Sequence, residues 1–259
     1  MESLSATLFG SDVDLARLAA VFVLVAARVV PLAWLAPWLG WRGTAASVRV
    51  AVAVVLSMAL TPLALSVCPP LPAGVLTLSV MSLRELLVGA TFAVAVSVPL
   101  YALSWTGALV DRWRGSVSPA GPGPLATLHL AAGVVLFVSL GGHRLALAAF
   151  AATFSDLPPG SPADSTVALG VARVLADALV LSVALAAPTA LAMVLVDVAM
   201  GLWGRIAPGL RAFLVALPLR AALGLAVALV SLSVALPRLA PVFASSIDAA
   251  SDLVRPTSP

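Results

Sequence analysis

VDRWRGSVSPAGPGP, residues Val110–Pro124, separates two long apolar tracts and decides how they are organised. It places three charged residues ahead of three prolines, and proline removes a backbone donor and blocks both helix and strand pairing. The tracts on either side, Leu86–Val110 and Leu125–Phe150, are each long enough to cross the hydrocarbon core of a bilayer as a helix. The stretch therefore predicts two helices joined by an irregular loop.

The composition extends this pattern to the whole chain. Hydrophobic residues make up 62% of the 259 residues and charged residues only 10%, against about 25% charged in soluble domains. Six or seven apolar tracts reach the roughly 17 to 25 residues that a membrane-spanning helix needs. Prolines lie inside or at the ends of these tracts, at Pro31, Pro37, Pro99, Pro188, Pro218 and Pro237. We therefore predict an all-α, multi-pass integral membrane protein of broken, hairpin-like helices, because only packed neighbours can satisfy the carbonyl groups that proline frees.

Several function classes are excluded. A net charge of +3, scattered in ones and twos, builds no basic patch for nucleic acid. The single cysteine, Cys68, allows neither a disulfide framework nor a cysteine pair for a metal. His129 and His143 stand without a metalloprotease motif, paired carboxylates or a nucleophile elbow, and packing roles suit them better. We predict no enzyme activity, no catalytic or metal-binding residues and no cofactor.

Charged residues within the apolar tracts are the candidate functional residues, because an ionisable group at membrane depth is costly unless it is paired or hydrated. Those residues are Arg28, Glu85, Arg173, Asp177, Asp197, Arg205 and Arg220. The alternative is that they lie at the membrane interfaces, with long side chains reaching water. Arg84 and Glu85 point about 100° apart on a helix, so each should find another partner. Asp111 and Arg114, three residues apart, are predicted to form a structural ion pair.

Four segments, taken in order and spacing, resemble the export-gate subunit of type III secretion systems, called FliR in flagella and SctT (YscT, SpaR) in injectisomes. They are RVVPLAWLAPWLGWRGTAASVRVAVAVVLSMALTP (Arg28–Pro62), RELLVGATFAVAVSVPLYALSWTGALVDRWRGSVSP (Arg84–Pro119), GGHRLALAAFAATFSDLPPG (Gly141–Gly160) and VDVAMGLWGRIAPGLRAFLVALPLRAALGL (Val196–Leu225). Within GALVDRWRG, the order of Gly107, Asp111 and the Arg114–Gly115 pair favours the injectisome branch.

The resemblance implies a place in a hetero-oligomeric helical export gate of the bacterial inner membrane. The expected partners are SctR/FliP-like and SctS/FliQ-like subunits, an SctU/FlhB-like switch protein, the unfolded proteins that pass through the pore, and the lipid bilayer. The whole chain, 1–259, is then one membrane-embedded subunit. An SctR-like part covers about 1–185, and an SctS-like helix pair covers about 186–259.

The resemblance also implies that the loop after Asp111 plugs the pore. The plug loop consists of Gly115, Ser116, Val117, Ser118, Pro119, Ala120, Gly121, Pro122, Gly123, Pro124 and Leu125. Its three glycines, three prolines and lack of charge suit a plug that must yield to a passing polypeptide.

A proton- or ion-coupled secondary transporter is the alternative function. Broken helices with Arg173, Asp177 and Asp197 at membrane depth could bind a small substrate or a proton. Transporters of that kind commonly carry an internal repeat, and none is detectable in this sequence. The missing repeat favours the export gate.

Overall fold

The structure, a computed structural model, describes residues 15–40, 43–71, 74–113, 121–161, 165–206 and 219–252. These residues form seven α-helices and no strand, so the prediction of an all-α fold is confirmed. In chain order the helices are α1 (Leu15–Leu35), α2 (Ala46–Val67), α3 (Val75–Trp113), α4 (Pro124–Ser139), α5 (Gly142–Asp156), α6 (Ser165–Ile206) and α7 (Leu219–Asp252).

The proline cluster after Val67 separates α2 from α3. Cys68 caps α2 with extended backbone, φ −73° and ψ 125°, which is the conformation that a residue before proline favours. The next described helix begins at Val75. Elsewhere the helices continue through their prolines: Pro31, Pro62, Pro99, Pro188, Pro237 and Pro241 all lie inside helices.

A break at Leu140 and Gly141 divides α4 from α5 and was not expected, since Leu125–Phe150 reads as one apolar tract. Gly141 has φ +74°, the left-handed conformation with which glycine ends helices. The axes of α4 and α5 meet at this break with a bend of 73°. With 16 and 15 residues, they are about 24 Å and 22 Å long at 1.5 Å per residue. Each is thus shorter than a hydrocarbon core of about 30 Å.

Three described helices are long and apolar enough to cross a membrane, or up to four if the bent pair counts as one span. The three are Leu15–Leu35, Ala46–Val67 and Val75–Arg112. This number is lower than the six or seven apolar tracts of the sequence, and it covers the described residues alone. Only 22% of the most apolar window of α2 is buried, so most of that helix faces outward.

The chain folds as two compact units. The first comprises the described residues within Met1–Val96, Arg144–Val174 and Ile247–Pro259. Its core contains three phenylalanine rings in series, with Phe92 and Phe150 centroids 5.1 Å apart and Phe150 and Phe154 centroids 5.7 Å apart.

The second unit comprises the described residues within Ser97–His143 and Leu175–Ser246. Val110, Leu125 and Met193 form a buried apolar cluster in it. The rings of Phe137 and Phe243 meet edge to face at 5.0 Å. The predicted division into parts 1–185 and 186–259 falls inside α6, and it stays a prediction.

Candidate functional site

A buried ion pair lies in the first unit. Arg28 on α1 and Glu85 on α3 both have fully buried side chains. Arg28 Nε donates a hydrogen bond of 2.5 Å to Glu85 Oε2, and Arg28 Nη2 contacts the same oxygen. Two charges of opposite sign thus neutralise each other away from solvent, which is the condition under which such groups are tolerated at membrane depth.

The remaining donors of Arg28 bind the end of α5. Nη1 donates to the Thr153 carbonyl at 3.1 Å, and Nη2 donates to the Leu157 carbonyl at 2.9 Å. The guanidinium carbon also lies 4.5 Å from the centroid of the Phe154 ring. The Thr153 carbonyl also accepts the Leu157 backbone N–H at 2.9 Å, so Arg28 is its second donor, and both carbonyls lie at the end of the helix that carries the negative end of the dipole. We call Arg28, Glu85, Thr153, Phe154 and Leu157 the guanidinium cluster, which joins three helices around one cation.

Gly89 brings the backbones of α1 and α3 together beside this cluster. It follows Glu85 by one helical turn, so both residues lie on the same face of α3. A Cβ atom added at Gly89 would overlap the backbone carbonyl of Arg28. The glycine is therefore what lets the Arg28 side chain reach Glu85 across so short a distance between helices.

Arg84 has partners of its own in the same unit. Its Nη1 donates to the Ser161 carbonyl at 2.6 Å and to Ser161 Oγ at 3.2 Å. The same nitrogen lies 3.5 Å from Glu85 Oε1. Each of the two neighbours thus has a partner elsewhere in the chain. The expectation that they would not pair with each other overlooked the reach of the arginine side chain.

Cys68 is a buried thiol without the features of a reactive site. Its Sγ–H donates to the Pro159 carbonyl at 3.2 Å, and its own carbonyl accepts from Arg17 Nη2 at 3.1 Å. Burial raises the pKa of the Cys68 thiol, although the nearby Arg17 charge acts in the opposite direction. The thiol is therefore protonated at neutral pH, which fits the packing role that the sequence suggests.

Asp111 connects the end of α3 to the start of α4 in the second unit. The residue is 3% exposed, and its Oδ2 accepts a hydrogen bond of 3.0 Å from the Ala126 backbone N–H. Ala126 is the third residue of α4, so its N–H has no intrahelical acceptor. The carboxylate both satisfies this donor and places negative charge at the positive end of the helix dipole.

Two glycines make this contact possible. A Cβ atom at Gly107, one turn before Asp111, would overlap the Leu125 carbonyl, and a Cβ atom at Gly123 would overlap the Asp111 carboxylate. We call Gly107, Asp111, Gly123, Leu125 and Ala126 the loop base. Sequence analysis singled out Gly107 and Asp111 but missed the contact with Ala126, because a backbone N–H leaves no residue-specific signal.

Of the predicted ion pair between Asp111 and Arg114, the structure describes Asp111 alone. Arg114 lies outside the described residues, so its pairing with Asp111 stays a prediction. Within the part of the chain that the structure describes, Asp111 Oδ1 is buried and has no hydrogen-bond partner.

The described part of the plug loop begins at Gly121. Gly115, Ser116, Val117, Ser118, Pro119 and Ala120 lie outside the described residues. Gly121 has φ +154° and open space around it, whereas Gly123 is packed against Asp111. The loop ends earlier than predicted, since Pro124 and Leu125 form the first turn of α4. Proline suits that first helical position because its fixed φ matches the helix and no donor is lost.

The other predicted charges are not gathered into one site among the described residues. Asp197 is partly buried on α6, and Arg205 is exposed in the last turn of the same helix. Arg173 and Asp177 lie on α6 and Arg220 lies on α7. The side chains of these last three residues lie outside the described part of the structure.

Two further features bear on the chemistry of the second unit. His129 is buried in α4, and its Nδ1–H donates to the Leu125 carbonyl at 2.8 Å, as a packing histidine does.

A cavity of about 580 Å³ is lined by Trp105, Ala108, Leu109, Arg112, Val183, Ala187 and Ala190. Its lining is mostly apolar. No group of three or more potential metal ligands occurs among the described residues.

Both the guanidinium cluster and the loop base lie in the region that matches a known family. The model of "bacterial export proteins, family 1" matches residues 19–246. The chain belongs to bacterial export proteins, family 1. The resemblance found in the sequence is therefore confirmed at the level of this family. Together with the apolar helices, it makes the chain a membrane-embedded member of the bacterial export proteins.

One relative of this export family is the flagellar biosynthetic protein FliR of Caulobacter vibrioides. It is 29% identical over 223 residues, which cover 82% of this chain and 88% of that protein. The relative is flagellar, whereas GALVDRWRG favours the injectisome branch, so the branch stays a prediction. The family and the FliR relative point to a structural component of an export apparatus.

Proposed function

We propose that this chain is a subunit of a type III export gate, a component that helps form and close the inner-membrane pore for unfolded proteins. Membership of bacterial export proteins, family 1, is the observation that carries the proposal. The FliR relative supports it, since the match covers most of both chains. The proposed partners are SctR/FliP-like and SctS/FliQ-like subunits and an SctU/FlhB-like switch protein.

The buried interactions suit a conduit without chemistry of its own. Arg28 and Glu85 pair with each other inside the guanidinium cluster, and the described residues that line the cavity beside Trp105 include no acidic group that would bind a coupling ion. Such an arrangement holds helices in place and supports no reaction. Many large apolar side chains are exposed, among them Val54, Val55 and Met58 on α2, and they offer contact area for lipid or neighbouring subunits.

Within this gate we assign the plug to Gly115–Gly123, the part of the predicted loop that precedes α4. The segment carries no charge, and its three glycines and two prolines oppose regular structure. Its carboxyl-terminal end is fixed at the loop base by Asp111. We expect a loop of this composition, anchored at one end, to close the pore at rest and to yield to a passing polypeptide.

Co-purification tests membership of the gate. A tagged chain is expressed with and without the genes that neighbour it, and the purified material is analysed by mass spectrometry. We expect a stable complex with SctR/FliP-like and SctS/FliQ-like proteins when the neighbours are present. The mass spectra also show whether the recovered partners are of the flagellar or the injectisome type, and this decides to which of the two branches the chain belongs. If the chain purifies from both cultures as a soluble, monodisperse protein in detergent without partners, the proposal is contradicted and the secondary transporter is favoured.

Deleting Ser116–Pro122 tests the plug. The deletion leaves three residues between α3 and α4, within the usual length of helix connections. We expect a raised potassium leak through the assembled complex in proteoliposomes, with unchanged recovery of the partners. The control replaces Ser116–Pro122 with a bulkier uncharged segment of equal length, which should keep the leak low. An unchanged leak after the deletion refutes the plug.

A further inference from the structure

We infer that Asp111 is the positioning residue of the closed gate: its carboxylate clamps the start of α4 to the end of α3 and so fixes the loop base. The inference rests on the proposed plug function and goes beyond it, because it names the contact on which the seal depends. It also gives Asp111 a role that is separate from the predicted ion pair with Arg114.

The clamp is a buried hydrogen bond. Asp111 Oδ2 and the Ala126 nitrogen are 3.0 Å apart, and they join residues separated by 15 positions. Ala126 is fully buried, and a buried backbone N–H that loses its acceptor is costly. No other acceptor for the Ala126 N–H is given by the α4 backbone, because the first intrahelical bond runs from Thr127 to Gly123.

The backbone around the carboxylate is shaped to receive it. Gly123 leaves the space that the carboxylate occupies, and Gly107 leaves the space for the Leu125 carbonyl. A methyl group at either position would push the two helix ends apart, although it would do so through different atoms. Gly123 acts through the Asp111 side chain, whereas Gly107 acts through the backbone of α4.

This difference predicts a specific non-additivity. An alanine at Gly123 should disturb the seal because its methyl group displaces the Asp111 carboxylate. Once Asp111 has been replaced by alanine, the two closest contacts of that methyl group, with the carboxylate oxygen and carbon, are gone and only the Cβ contact at 2.9 Å is left, so the methyl group should add little. Two substitutions that act through one contact are coupled, whereas independent substitutions add.

An asparagine at Asp111 separates the clamp from the ion pair. Asparagine keeps a side-chain oxygen that accepts from the Ala126 N–H, but it loses the charge that an arginine partner needs. The clamp predicts that Asp111→Asn seals nearly as well as the wild type. An ion pair as the main role predicts that Asp111→Asn leaks as much as Asp111→Ala.

The experiment measures potassium leak and partner recovery for the co-expressed gate complex in proteoliposomes. The variants are Asp111→Ala, Asp111→Asn, Gly123→Ala and the double variant Asp111→Ala/Gly123→Ala, beside the Ser116–Pro122 deletion. Gly201→Ala is the matched control, because a Cβ atom there meets nothing within 4 Å. We expect several-fold higher leak for Asp111→Ala, Gly123→Ala and the double variant, to equal extents, and wild-type leak for Asp111→Asn and Gly201→Ala.

Two results from the Asp111 variants overturn the inference. One is a leak of Asp111→Asn as large as that of Asp111→Ala, and the other is a double variant that leaks by the sum of the single effects. If Asp111→Ala does not assemble, Asp111→Asn and Gly123→Ala still decide, because the clamp requires the first to seal and the second to leak. A deletion that leaks while Gly123→Ala seals overturns the clamp alone, whereas a deletion that does not leak overturns both the plug and the clamp.

Discussion

At the scale of single residues, the guanidinium cluster buries two opposite charges, and removing each of them from water costs free energy. Arg28 and Glu85 are both fully buried, and each makes the other tolerable. Removing one member of such a pair leaves an uncompensated charge, which costs about 3 to 5 kcal/mol in typical cases. Replacing both members with apolar residues of similar volume is often close to neutral.

We therefore expect strong coupling between the two positions. Arg28→Met and Glu85→Met should each destabilise the assembled complex by about 3 kcal/mol, and Arg28→Met/Glu85→Met should cost clearly less than their sum. The measurement is thermal unfolding of the complex in detergent. Arg205→Met is the control for loss of an exposed charge. Additive effects of the two single substitutions contradict the pairing.

Prediction from sequence reached these residues but not their contacts. Arg28 and Glu85 were chosen because charges are rare in apolar tracts, yet their pairing across 57 residues follows only from the packing of α1 against α3. The clamp at Asp111 was hidden for another reason. Its partner is a backbone N–H, a group that every residue other than proline carries.

At the scale of elements, glycines decide where helices approach and where they end. The proline cluster after Val67 separates α2 from α3, because the residue before a proline favours extended backbone. The break at Gly141 was missed, because the tract Leu125–Phe150 is mostly apolar on both sides of it and a left-handed glycine differs from a helical one in φ alone. Pro99 and Pro188 lie inside the apolar tracts in which the sequence places them, and α3 and α6 continue through both.

Gly89 provides the test at this scale. We expect Gly89→Ala to destabilise the assembled complex by about 1 to 3 kcal/mol, because the added methyl group overlaps the Arg28 backbone and overpacks the contact between α1 and α3. Thermal unfolding in detergent measures the loss. Gly201→Ala, which places the same methyl group in open space, should leave the unfolding temperature unchanged or slightly raised. Equal behaviour of the two variants would show that no close approach exists at Gly89.

At the scale of the whole molecule, composition is enough to assign a membrane protein but not its surroundings. Exposed apolar residues such as Val55 on α2 and Ile206 on α6 suit a lipid tail and a neighbouring subunit equally well. The apolar composition thus indicates a membrane protein, and the four ordered sequence segments indicate the export family. The faces that contact other subunits cannot be separated from lipid-facing ones by hydropathy, because both are apolar.

The guanidinium cluster has a consequence for how the chain is made. Synthesis proceeds from the amino terminus, so Arg28 leaves the ribosome 57 residues before Glu85 and 125 residues before Thr153. Until α3 arrives, the arginine of α1 has no carboxylate, and until α5 arrives, two of its donors have no carbonyls. The burial of Arg28 seen in the structure is therefore complete only after α3 and α5 have been made.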